Sequence, residues 1–152
     1  MDTLDIAIIQ ELQKNGRKPF TEIAQKLNVS EATVRNRVSK LIDKQVLQIV
    51  GLISPHRLGY NSPAMVSLAV QPGKVDAVAK EIAMFEEVSY LIMVSGEFDL
   101  MVEVMCRNRE HFVEFLNQKL AQVPGVLRTQ TSFILHTYKL SYAARPTLAD
   151  NS

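Results

Sequence analysis

The chain has a single cysteine, Cys106, among its 152 residues, so no internal disulfide framework can hold it together and a reducing compartment is expected. It has no apolar run of the roughly 20 residues that a bilayer-spanning helix requires, so no membrane partner is expected. The opening residues, MDTLDIAIIQ, contain no basic segment followed by an apolar stretch; a secretory leader is not expected, and the cytoplasm is the expected location. A Gly-rich phosphate loop is missing. Three histidines, His56, His111 and His136, lie far apart, and none has a Cys, Asp or Glu at metal-ligand spacing, which argues against a zinc site. Cys106 closes an alternating apolar stretch with no activating partner in view, which argues against a nucleophile. No catalytic residue, metal or cofactor is assigned.

What the chain does have is 47% hydrophobic content, enough for one medium domain or two small ones. A large excess of one charge is also missing, but the formal net charge of +1 hides an asymmetry. Residues 1–60 carry nine Lys/Arg against six Asp/Glu, a balance of +3; residues 61–152 carry eight against ten, a balance of −2. A mildly basic head on an acidic remainder fits nucleic-acid binding at one end. So small an excess predicts modest phosphate affinity per copy, and hence an assembly that presents several copies.

Residues 20–47 read FTEIAQKLNVSEATVRNRVSKLIDKQVL. Two amphipathic helices joined by Asn28-Val29-Ser30 are predicted. The first turns Ile23, Ala24 and Leu27 inward. The second turns in Val34, Val38, Leu41 and Ile42, at i, i+4, i+7 and i+8. Its other face shows Ser30, Glu31, Thr33, Arg35, Asn36, Ser39 and Lys40. An apolar back with a front of Arg, Asn, Ser and Thr suits the DNA major groove. Two amphipathic helices also occur in many all-helical domains, but local details favour a helix-turn-helix. Ala24 allows the helices to cross closely. Asn28 suits a position needing positive φ. Ser30 can cap the second helix, and Pro19 fits the first position of the helix before.

A further helix is expected over about Thr3–Asn15, with Leu4, Ile8, Ile9 and Leu12 inward, ended by Asn15-Gly16. VLQIVGLISP, residues 46–55, predicts a short extended element, read as a wing-like strand pair. The body follows as strand 64–71, helix 74–85, strand 88–95, strand 98–106, helix 109–122 and a long strand 126–138. That order, β-α-β-β-α-β, is the split, ferredoxin-like arrangement. The expected organisation is a head at 1–53, a linker at 54–63, a body at 64–142 and a flexible tail at 143–152. Met65, Met84, Met93, Met101 and Met105 are spread over the body, and core filling is the expected role.

The stretches LDIAIIQELQKNGR (4–17), EIAQKLNVSEATVRNRVSKL (22–41), VSGEFDLMVEV (94–104) and VPGVLRTQTSFIL (123–135), in this order and spacing, resemble the Lrp/AsnC, or feast/famine, family of transcriptional regulators over nearly the whole chain. The resemblance implies an α+β architecture: an N-terminal winged helix-turn-helix plus a C-terminal ferredoxin-like (ACT-like) βαββαβ domain. It implies double-stranded DNA as partner, a homodimer assembling to a higher oligomer, commonly an octamer, and a small effector, usually an amino acid. Two departures stand out. The family usually places Gly before the wing where this chain has Gln45, and Glu after the last helical Leu where Ile42-Asp43 follow Leu41. Arg37 lies at a family position that usually carries Arg, supporting phosphate contact or helix packing.

For DNA, Arg35 and Asn36 are the best base-reading candidates, because Arg pairs with guanine and Asn with adenine through two hydrogen bonds. Ser30, Thr33, Arg37 and Lys40 are expected on phosphates, with Glu31 on the same face. The effector is expected at the loop Ser95-Gly96-Glu97-Phe98-Asp99, where Gly96 lets backbone approach a ligand and Asp99 is suited to an ammonium; Thr129 and Thr131 of the last strand are expected to line the same site. The same residues also make an ordinary hairpin turn and an ordinary strand. Two other functions fit the sequence less well. One is a sirohaem decarboxylase of similar build, which needs His and Arg gathered at a cavity. The other is a winged-helix protein-interaction module, distinguished by a weak salt dependence.

Overall fold

The computed structural model describes residues 1–140. The expected tail at 143–152 and the last two residues of the expected body lie outside the described residues. Two compact units form: Met1–Leu52 with Leu140, and Ile53–Lys139.

The first unit holds α1 (Thr3–Lys14), α2 (Phe20–Leu27) and α3 (Glu31–Asp43). Helix α1 begins with a capping box: the Asp2 side chain accepts from the Asp5 N–H, and the Asp5 side chain accepts from the Asp2 N–H, each at 2.9 Å. Ile8, Ile9, Leu12, Ile23, Ala24, Val34, Val38, Leu41 and Leu47 form its buried core. Ile42, expected inward, is exposed. Pro19 takes the cap position of α2 rather than its first turn. Asn28 has φ of 55° and ends α2 in the left-handed conformation. The Ser30 hydroxyl accepts the Thr33 N–H at 3.1 Å and so caps α3.

The end of α3 carries the departure at Gln45. Gln45 has φ of 57°, and the N–H of Val46 donates to the Leu41 carbonyl at 2.9 Å, five residues back. This is a Schellman-type ending with glutamine where glycine is favoured. The wing-like strand pair does not form: residues 47–54 carry neither helix nor strand. So short a segment leaves about three residues per strand around a two-residue turn, and an isolated hairpin is marginal even when longer.

One polar hub ties the head together. Glu11 is 4% exposed, and its carboxylate receives Lys14 at 3.2 Å, Lys26 at 2.7 Å and also Lys18. These bonds, Lys18 first, hold its carboxyl down at about 2 against the opposing effect of burial.

The second unit holds β1 (Ser62–Val70), α4 (Val75–Ile82), β2 (Val88–Met93), β3 (Leu100–Cys106), α5 (Arg109–Glu114) and β4 (Val126–Phe133). The sheet order is β2-β3-β1-β4, and every pairing is antiparallel. Alternation sends Ala64, Val66, Leu68 and Val70 of β1 and Leu100, Val102, Val104 and Cys106 of β3 to one face. There they meet Val78 and Ile82 of α4 and Phe112, Phe115, Leu120 and Val123 after β3.

Helix α5 runs on into a π turn, Phe115–Lys119, and a 3-10 turn, Leu120–Gln122. On a plain α-helix Phe115 and Leu120 would stand about 140° apart. The wider π turn lets both be buried. Lys119, on this turn, reaches the buried Glu87 at 2.7 Å, which His111 also approaches at 3.3 Å. Burial works to raise the Glu87 carboxyl, but Lys119, backbone and His111 outweigh it and the net shift is downward.

Two expectations for the body are corrected. The last strand ends at Phe133, not near residue 138, because β1 begins at Ser62 and the Ile134 N–H to Pro63 carbonyl bond at 3.0 Å is the final rung. None of the five body methionines lies in the buried core. Met65, Met101 and Met105 alternate onto the sheet face opposite the helices and are half-buried, while Met84 and Met93 are exposed.

Candidate functional site

Helix α3 exposes Ala32, Arg35, Asn36, Ser39 and Lys40 along one side, at i, i+3, i+4, i+7 and i+8, while Val34, Val38 and Leu41 are buried behind. That stripe has the width and chemistry to lie in a major groove. The predicted site residues on it are not equivalent. The Ser30 hydroxyl is committed to the Thr33 N–H and lies 2.8 Å from the Thr33 hydroxyl, so this pair builds the helix start. Arg37 turns away from the stripe to α1, pairing with Asp2 and, at 3.1 Å, with Asp5. The Asp2 carboxyl is held low by the Asp5 N–H and then by Arg37. Arg37 therefore ties α3 to α1.

Arg35 stays on the exposed stripe but is not loose. Its guanidinium pairs with Glu31 one turn earlier, and its central carbon lies 5.6 Å from the centroid of the Phe20 ring, at the start of α2. Phe20 was not among the residues singled out from sequence. A phenylalanine at a helix start reads as core, and only the folded pairing of α2 with α3 shows its second contact.

In the body, Ser95–Asp99 join β2 to β3, with Gly96 at φ of 123°. The loop is pinned to the end of β1. The Asp99 N–H donates to the Leu68 carbonyl at 2.9 Å, and Asp99 Oδ2 accepts the Val70 N–H at 2.7 Å. One oxygen of the Asp99 carboxylate is thus a structural acceptor. From β4, Arg128 donates to Glu97 Oε1 at 2.8 Å and stacks over Phe98 at 4.8 Å. Thr129 and Thr131 are not brought to the loop in this way. They pair with Leu68 and Val66, which places them on the helix-covered face, while Arg128, opposite Ala69, takes the other face. The alternation of residues 128–132 is visible in the sequence, but which set faces the loop is decided by the bulge between Ala69 and Val70, where β4 skips Leu127.

A helix-turn-helix with an exposed second helix, followed by a βαββαβ body, is the architecture of a transcriptional regulator. Residues 1–42 match the AsnC-type helix-turn-helix domain and residues 63–144 match the Lrp/AsnC ligand binding domain, and the chain belongs to the Lrp/AsnC family. It is 35% identical over 144 residues to an HTH-type transcriptional regulator of Pyrococcus horikoshii, covering 94% of this chain and 91% of that one. The Escherichia coli AsnC structure superposes with a TM-score of 0.85 over 96% of this chain and 99% of that one; at 22% identity this likeness concerns the fold. A transcriptional regulator of Neisseria meningitidis, solved as its complex with L-Met, gives a TM-score of 0.82 at 25% identity, over 95% and 96% of the two chains.

Proposed function

We propose that this chain is a sequence-specific, cytoplasmic DNA-binding regulator whose oligomeric body responds to an amino acid. Arg35 and Asn36 read base edges. Lys40 and the start of α3 at Ser30–Thr33 hold phosphates, and Arg37 supports the helix from behind. The single observation that carries the DNA reading is the exposed Arg35-Asn36-Lys40 stripe backed by buried Val34, Val38 and Leu41. Two copies would present their helices to half-sites about one helical turn apart, on a near-palindromic operator.

Assembly through the uncovered sheet face is supported by half-buried Ile92, Met65, Met101 and Met105 on that side, where adaptable thioethers suit a contact surface. A dimer of this kind, assembling further to an octamer, is the proposed state. The effector is proposed to meet the loop Ser95–Asp99, with Arg128 as its anionic-group partner. The L-Met bound by the neisserial relative supports an amino acid as the ligand class.

A salt titration tests the DNA reading. Affinity for double-stranded DNA should fall linearly on a log–log plot with a slope set by the phosphates neutralised; a flat plot would refute it. A thermal-shift panel of the amino acids tests the effector, since a ligand of the folded state raises the melting temperature with occupancy. No shift with any of them counts against the sensing role.

A further inference from the structure

We infer that Phe20, outside the recognition helix, is a specificity-determining positioning residue: its ring holds the Arg35 guanidinium in the orientation that reads a base. The inference rests on the reading of Arg35 as a base contact. Three observations lead to it.

First, Arg35 is an exposed residue on a long flexible stem, and an unheld arginine samples many rotamers, most of them unable to present two parallel N–H bonds. Second, Arg35 is held from two directions in the DNA-free chain, by Glu31 along its own helix and by the Phe20 ring from α2. The two tethers differ in chemistry. A carboxylate takes guanidinium N–H donors, so Glu31 competes with a base for them. An aromatic face takes the cation from above and leaves the in-plane donors free. Only the ring can remain in place while Arg35 bonds guanine O6 and N7. Third, Phe20 is itself fixed. It is half-buried and packs against the buried cluster of the head. Its position is therefore set by the fold rather than by the DNA. Part of the base choice is thereby encoded before the turn, at a residue outside the recognition helix.

The test is selection of sequences from a random double-stranded DNA library by the full-length protein and its variants, followed by affinities for single-base changes in the enriched site. Arg35→Ala should abolish discrimination at one base position. Phe20→Leu should weaken discrimination at that same position about two- to five-fold, the range a partly exposed cation–π contact supports, with other positions and the salt slope unchanged. Phe20→Met provides a second ring-free variant should the leucine fail to fold. Phe20→Tyr, which keeps the ring, should restore the wild-type profile. The inference is overturned by a wild-type profile in the ring-free variants. It is equally overturned by a loss spread over all positions, or by equal losses in the tyrosine and leucine variants, since these report packing alone. If Arg35→Ala leaves the profile intact, the reading of Arg35 fails first and this inference falls with it; if only the Phe20 variants are silent, the reading stands without it.

Discussion

Asp99 Oδ2 accepts the N–H of Val70 at 2.7 Å across 29 residues of sequence, and together with the bond from the Asp99 N–H to the Leu68 carbonyl it fixes the loop Ser95–Asp99 to the end of β1. The sequence invited a different use of Asp99, as the receiver of a ligand's ammonium. The two roles separate on substitution. Asp99→Asn keeps an oxygen for the Val70 N–H, whereas Asp99→Ala leaves that donor unpaired. A bond from a backbone N–H to a half-exposed carboxylate is worth about 1–2 kcal/mol. Asp99→Ala should lower unfolding stability by about that amount, and Asp99→Asn by much less, as read by urea unfolding. If Asn also abolishes the thermal response to amino acids while the fold holds, the carboxylate touches the ligand as well.

Arg128 reaches the same loop from the edge strand, bonded to Glu97 and stacked on Phe98. Its removal should weaken amino-acid binding about tenfold or more, the value of a charge-assisted hydrogen bond converted to affinity. Thr129→Val and Thr131→Val, on the helix-covered face, should leave binding unchanged. Calorimetric titration with the best amino acid from the thermal panel distinguishes these. Loss in the threonine variants alone would mean that the site lies under the helices.

Much of this was legible in the sequence because it is local. The periodicities of Ile8, Ile9 and Leu12, of Val34, Val38 and Leu41, and of Leu100, Val102, Val104 and Cys106 each match a buried face. The positive φ at Asn28 and the Ser30 cap follow from the chemistry of those side chains. What was not legible depends on which elements become neighbours. Arg37 meets Asp2 and Asp5, and Glu11 gathers Lys18 and Lys26. Arg128 faces the loop because of a bulge. Met65, Met101 and Met105 misled because a half-buried sheet face and a core share one composition, and only the layer on the far side tells them apart.

Gln45 offers a direct test of local strain. It sits at φ of 57° just past the end of α3, where a residue with a Cβ costs roughly 1–2 kcal/mol relative to the right-handed region. Glycine removes that cost but adds freedom to the unfolded chain. The net expectation for Gln45→Gly is a gain of about 0.5–1 kcal/mol, with DNA sequence preference unaltered because the αL ending is kept. Gln45→Val should destabilise, since a β-branched side chain fits that conformation worst. Urea unfolding of the whole chain measures both; a loss of stability with glycine would show that the glutamine side chain contributes a contact of its own.

The Glu11 hub predicts how the head responds to acid. Its carboxyl lies near 2 in the folded chain against an ordinary value of 4.5, because Lys18, Lys26 and Lys14 bond its charged form. A carboxyl lowered on folding stabilises the folded state at every pH above its unfolded value. That contribution is therefore complete above about 4.5 and is lost progressively as the pH falls toward 2. Glu11→Gln removes it at neutral pH and leaves three lysines around an uncharged amide. The melting temperature of the variant should lie below that of the wild type at pH 7, and the gap should narrow below pH about 4.5 as the wild type is protonated. Raising the salt concentration should shrink the gap at pH 7 only partly, because the carboxylate is buried even though Lys14 and Lys26 are exposed. A gap that stays constant from pH 7 down to 2 would mean that Glu11 stabilises the head through packing and neutral hydrogen bonding, not through its charge.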